Sequence, residues 1–181
     1  AMNLLMLPGR TVFVADTYVN YNPTVDELVQ TTLLAAEEIR RFGIAPKVAL
    51  LSHSSFGSLD TPTAEKMRAL LGRLREVAPG LEVEGEMHGD AALDEQIRAQ
   101  VFPNSRLKGQ ANLLIMPNLD AANIAFNLLK VAAGDNLTVG PILLGSRKPA
   151  HILTPTETVR RIVNDTDLAV FDALMDEGAE N

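Results

Sequence analysis

Over residues 109–130, GQANLLIMPNLDAANIAFNLLK, the chain changes from the pattern of a buried strand to that of a helix, and few folds accommodate such an abrupt change. Residues 112–116 are a short apolar run, as expected of a strand covered on both faces. The helical period follows at Leu119, Ala122, Ile124, Phe126 and Leu129. Pro117 ends the strand, and Asn118 is placed to cap the helix by accepting one of its first N–H groups. The other N–H groups and the positive helix end would then point out of the sheet, toward an anion such as phosphate. An ordinary strand-to-helix turn with a good cap has the same sequence, so the rest of the chain must discriminate.

Strands and helices alternate along most of the remaining sequence. Residues 4–7 and 11–15 are apolar runs separated by Pro8-Gly9-Arg10, a hairpin signal expected at a sheet edge. A capping box, Thr24 with Glu27, opens a helix that buries Val25, Leu28, Val29, Leu33, Ala36 and Ile39. Residues 47–51 form a buried strand, and Thr61-Pro62 starts a helix over 60–78 with Met67, Leu70, Leu71 and Leu74 inward. Residues 81–87 alternate apolar residues with Glu82, Glu84 and Glu86, which reads as a strand with one solvated face or one that ends at a polar site, the solvated face being preferred. A short helix over 91–99, the strand and helix already described, a strand over 139–144 and a last helix opened by Thr154-Pro155-Thr156-Glu157 complete the series. The expected fold is one α/β domain over 1–181, a mostly parallel, doubly wound sheet of about five strands with helices on both faces. Strands 47–51 and 112–116 and residues 142–144 are expected in its covered interior, and the chain shows neither internal repeat nor low-complexity linker.

Charge and composition exclude several functions. A net charge of −7, with only six Phe and two Tyr, argues against nucleic acid, which needs clustered cations and stacking rings. Without cysteine there is no disulfide, thiolate metal site or cysteine nucleophile, and no apolar run reaches membrane-spanning length. A cytoplasmic location is expected. Ala1 before Met2 reads as an expression remnant, and residues 2–7 are too short for a signal peptide.

In such a sheet three loops share the carboxyl edge where ligands bind: 52–58, 117–123 and 145–149. They carry hydroxyls, amides and two cations, Arg147 and Lys148, a set suited to a phosphorylated ligand. Surface charge alone would also account for that basic pair. His53, His88 and His151 are too scattered for a metal site and read as structural or surface residues. Arg160 and Arg161 oppose the dipole of the last helix unless an anion or acidic partner meets them.

At these loops the sequence resembles the phosphate acetyl/butyryltransferases, which exchange acetyl between CoA and phosphate. The resemblance is carried by VALLSHSSFGS, EVEGEMHGDAAL, GQANLLIMPNLDAANIAFNLLK and GPILLGSRKP. The wording NLDAANIAFNLLK and LLGSRKPAHILTPTETVRRIVN is most similar to the C-terminal transferase-like domain of large bacterial NADP-dependent malic enzymes. Such domains are about twice this length, and the chain resembles their second half. The resemblance implies acetyl-CoA or another CoA ester as ligand, at Ser52, Ser54, Asn118, Asn123, Ser146, Arg147, Lys148 and Thr154. It implies a homodimer or higher homo-oligomer, and NADP with a divalent metal only in a catalytic part outside these residues.

The family's serine-arginine pair and nearby aspartate fall at Thr154, Pro155 and Arg161. The hydroxyl is kept, while the cation and the carboxylate are lost, and with them charge stabilisation and a candidate base. The expected function is therefore a non-catalytic regulatory and oligomerisation domain that senses acetyl-CoA. A genuine phosphate acetyltransferase and a purely structural dimerisation domain are the alternatives.

Overall fold

The structure is a computed structural model, and it describes residues 1–133, 138–146, 148, 150, 151, 153 and 158–179. The chain forms β1 (Met2–Leu7), β2 (Arg10–Ala15), α1 (Val25–Arg41), β3 (Lys47–Leu51), α2 (Pro62–Val77) and β4 (Glu82–Met87). It continues with α3 (Gly89–Leu93), α4 (Glu95–Val101), β5 (Leu113–Ile115), α5 (Leu119–Ala132), β6 (Thr138–Ile142) and α6 (Val159–Ala179). Local chemistry sets several of these boundaries. Thr24 and Glu27 exchange both bonds of a capping box at α1, Thr61 caps α2 ahead of Pro62, and Asn118 caps α5.

Among the described residues the strands form one six-stranded sheet in the order β4-β3-β5-β2-β1-β6. The pairs β4/β3, β3/β5 and β5/β2 are parallel, and β1 is antiparallel to both β2 and β6. Five strands thus run one way and β1 alone runs against them, a mostly parallel α/β sheet with one strand more than expected.

Strand alternation divides the core cleanly. Phe13, Ala15, Val48, Leu50, Leu113 and Ile115 pack on α1 and α2, while Val12, Val14, Ala49, Leu51, Leu114 and Met116 face α3 and α5. Both faces of β2, β3 and β5 are covered, which is why their sequences read as continuous apolar runs. Ala1 and Met2 are buried, and Met2 pairs with Ala15 and Ile142.

Four expectations change. The β1–β2 hairpin is no edge feature: β5 pairs with β2 and β6 with β1, so it lies inside the sheet. Residues 142–144 are not an interior strand. Among the described residues β6 is the outermost of the six strands on its side and ends at Ile142, which is itself buried and makes a single antiparallel bridge to His151. Leu144, beyond it, packs partly buried against the core cluster that contains α1. A helix covering a strand end leaves the same apolar signature as a flanking strand.

Ile124, expected inward on α5, is exposed, and Ala122 and Phe126 are the buried residues of that helix. The glutamates of β4 are not a solvated face, since Glu84 and Glu86 are buried. Arg75 lies 3.0 Å from Glu84, whose second oxygen accepts the Arg106 N–H, and Glu82 accepts the Lys108 N–H. The carboxylates of this edge strand thereby anchor the segment before β5, replacing the hydrogen bonds of a further strand.

Gly85, between the two buried glutamates, has φ +153°, and a Cβ there would lie 2.7 Å from both Cβ and O of Leu50. Gly85→Ala is expected to destabilise the fold by about 2 kcal/mol or more, because neither β3 nor β4 can retreat without breaking its ladder. Urea denaturation checks this, the midpoint falling while the slope is retained.

Candidate functional site

The carboxyl ends of β4, β3, β5, β2 and β6 share one edge of the sheet, so the segments that follow them form a continuous crest. The turn after β3 is built around one side chain. Glu86 Oε1 accepts the Ser54 hydroxyl at 2.8 Å, the Gly57 N–H at 2.9 Å and Arg68 Nη1 at 3.0 Å. The Glu86 carbonyl accepts the Phe56 N–H, and Met87 O accepts the Ser52 N–H. Phe56 is held at φ 50°, and its ring stacks on Phe102 with centroids 4.4 Å apart. Burial pushes the Glu86 carboxyl up, but the Gly57 N–H, the Ser54 hydroxyl and Arg68 together outweigh it and hold the group below its ordinary range.

Ser54 is therefore fully buried and committed to the turn: its oxygen also accepts the Leu59 N–H. Ser52 is half-buried, with its Oγ accepting the Ser54 N–H, so the hydroxyl proton remains available to donate. His53 and His88 are used locally: His53 Nε2 bonds the Thr61 hydroxyl, and His88 Nε2 bonds the His53 carbonyl.

In the neighbouring turn, Asn118 Oδ1 accepts the Ala121 N–H at 2.9 Å, and the Leu119 N–H donates to Tyr21 O at 3.0 Å. Two first-turn donors of α5 are thus spent inside the chain, which narrows the anion-binding mouth read from the sequence. Asn123 turns aside and donates to Thr17 O at 3.2 Å. Between the ends of β3 and β5 lies an open hollow lined by Ser52, His53, Thr63, Pro117, Asn118 and Ala121 among others.

The turn after β6 does not join this hollow. Ser146 and Lys148 are exposed, Ser146 donates to Lys148 O at 2.6 Å, and the Ser146 turn faces Leu34, Glu37 and Arg41 of α1. Four interstrand spacings separate β3 from β6, about 19 Å at the ordinary distance between strands. Of the expected ligand residues, the structure brings Ser52 and Asn118 together, sets Asn123 against the β2 turn and leaves Ser146 and Lys148 at the far end. Arg147 and Thr154 lie outside the described residues, as does Pro155, and the side chains of Arg160 and Arg161 are not described.

Two residues that organise this edge, Lys66 and Arg68, have no reading of their own in the sequence, and a third, Glu86, is read there mainly as part of a solvated face. Arg68 braces the β3 turn, Lys66 reaches Pro117 O at 2.7 Å, and Glu86 is buried at the centre of that turn. Lys66 and Arg68 flank inward-facing Met67 on α2, the single local sign that their stems border the core. Among the described residues no group of three His, Asp or Glu could hold a metal ion, and no helix is long and apolar enough to cross a membrane.

Comparison with known proteins adds to this geometry. Residues 1–170 match the family described as "Phosphate acetyl/butaryl transferase". The chain is 58% identical over 173 residues to an NADP-dependent malic enzyme of Escherichia coli, covering 96% of this chain and 23% of that protein. It is 44% identical to a phosphate acetyltransferase of Paracoccus denitrificans, covering 90% of this chain and 51% of that one. A phosphotransacetylase structure from Streptococcus pyogenes superposes with a TM-score of 0.89 at 30% identity, over 97% of this chain and 54% of that one. The chain therefore spans about a quarter of the malic enzyme and about half of the transferases.

Removing the Glu86 carboxylate strands three donors, so Glu86→Ala is expected to cost about 3 kcal/mol at neutral pH. Because the folded-state pKa lies below the ordinary 4.5, this stabilisation is present above 4.5 and lost as pH falls through the lower, folded-state value. Denaturation of wild type and Glu86→Gln at neutral and acidic pH checks it, their stability difference shrinking in acid.

Proposed function

Because the chain belongs to the phosphate acetyl/butyryl transferase family, we propose that it is a non-catalytic regulatory and oligomerisation module of an NADP-dependent malic enzyme, sensing acetyl-CoA or a related CoA ester. One observation carries the ligand reading. The polar groups of the crest run from Ser52 and Asn118 to Ser146 and Lys148 across about 19 Å, so only an extended ligand can touch both ends. A CoA ester, with a phosphorylated nucleotide at one end of a long pantetheine arm and an acyl group at the other, has that length. Acetyl phosphate alone does not.

Loss of transferase chemistry is read from residue identity. Acyl exchange between a thiol and phosphate needs a fixed cation and help in removing the thiol proton. Pro155 and Arg161 stand where the family resemblance would place those groups. NADP and a divalent metal belong, on this reading, to other parts of the malic enzyme, and the module works in the cytoplasm. The oligomerisation role is supported by α5, whose Ile124, Leu128 and Val131 form an exposed apolar stripe. The 44% identity to a phosphate acetyltransferase favours the competing reading, an active transferase.

Calorimetry with acetyl-CoA is expected to show binding that Lys148→Ala weakens by about 1–3 kcal/mol, the range of a charge-assisted hydrogen bond. Absence of binding would leave a purely structural role. In the whole malic enzyme, transfer between acetyl phosphate and CoA is expected to be undetectable, and turnover within about a hundredfold of an authentic transferase, a difference of some 2.7 kcal/mol in barrier, would restore the enzyme reading. Light scattering is expected to give a dimer or larger mass.

A further inference from the structure

Lys66 lies in the first turns of α2, and its ammonium group makes three hydrogen bonds, to Asn22 Oδ1 at 2.9 Å, Pro23 O at 3.1 Å and Pro117 O at 2.7 Å. A lysine has three N–H donors, so this one is saturated and geometrically fixed. Its acceptors belong to two different turns, those after β2 and β5, which are adjacent strands. The β2 turn also meets the start of α5 in the bond from the Leu119 N–H to Tyr21 O, and Asn123, farther along that helix, donates to Thr17 O.

All three Lys66 acceptors are neutral. Arg68, Arg73 and Arg75 of the same helix each face a carboxylate at 2.8–3.0 Å, whereas Lys66 has none within 4.0 Å among the described residues. Partial burial lowers its pKa from the usual 10.5. The three bonds therefore do not neutralise the ammonium group; they join segments of backbone and side chain that are distant in sequence. Pro117, which takes the shortest bond, lines the hollow beside Asn118, and Thr63, one helical turn from Lys66, lines it from α2.

We propose that Lys66 is a positioning residue for the hollow between β3 and β5: it ties the β2 and β5 turns to α2 and so fixes Asn118 opposite Ser52. The inference rests on the reading that this hollow takes part of a CoA ester, and it identifies the side chain that shapes the hollow without lining it.

Hydrogen exchange and calorimetry with acetyl-CoA test it on wild type, Lys66→Met and Lys66→Arg. Lys66→Met is expected to speed exchange of the Leu119 amide at least tenfold, leave the β3 and β4 amides unchanged, and lower acetyl-CoA affinity at least tenfold. Lys66→Arg, which can still reach several carbonyls, is expected to return affinity to within threefold of wild type. Unchanged Leu119 exchange in Lys66→Met overturns the proposal, as does faster exchange with undiminished affinity. If wild type itself binds no acetyl-CoA, the ligand reading fails, and Leu119 exchange alone then decides whether Lys66 ties the turns. Should Lys66→Met not fold, Asn22→Ala removes a single exposed acceptor; Leu119 exchange about threefold faster supports the tie, and unchanged exchange overturns it.

Discussion

Parallel pairing of β4, β3, β5 and β2 is the constraint on which the rest of this structure depends. Parallel strands need a crossover between them, so a helix or longer segment must return the chain after each. That requirement covers both faces of the sheet and forces every functional turn onto one edge. β1 and β6 extend the sheet, and because β6 also points with the majority, its turn joins the same edge at a distance. The width of the crest, and hence the size of ligand it suits, follows from strand order alone.

Around the ends of the strands, charged side chains do structural work usually left to the backbone. Glu86 gathers the β3 turn, Glu84 and Glu82 hold the segment before β5, and Lys66 joins the β2 and β5 turns. Arg98 does the same beneath α4: fully buried, it donates to the carbonyls of Ala91, Leu107 and Gly109. Charged groups drawn out of water are retained where hydrogen bonds hold them, so each of these residues favours one local geometry over many near alternatives. Amides spent in this way cannot bind a ligand, and the hollow is left with a few groups, the Ser52 hydroxyl and the Asn118 amide among them. Rigidity around a small number of free polar groups is what a selective site needs.

Much was legible in the sequence because it depends on neighbours in the chain. The strands at Val12 to Ala15, Val48 to Leu51 and Leu113 to Met116 show as continuous apolar runs because both of their faces are covered, and the caps at Thr24, Thr61 and Asn118 follow from the unpaired N–H groups at a helix start. Tertiary structure alone decided the strand order, the burial of Glu84 and Glu86 and the tie made by Lys66, whose acceptors lie 43 to 51 residues away. A lysine or glutamate at a given position has the same local propensities whether it meets water or a distant carbonyl. Only the pairing of remote strands determines which of the two it meets.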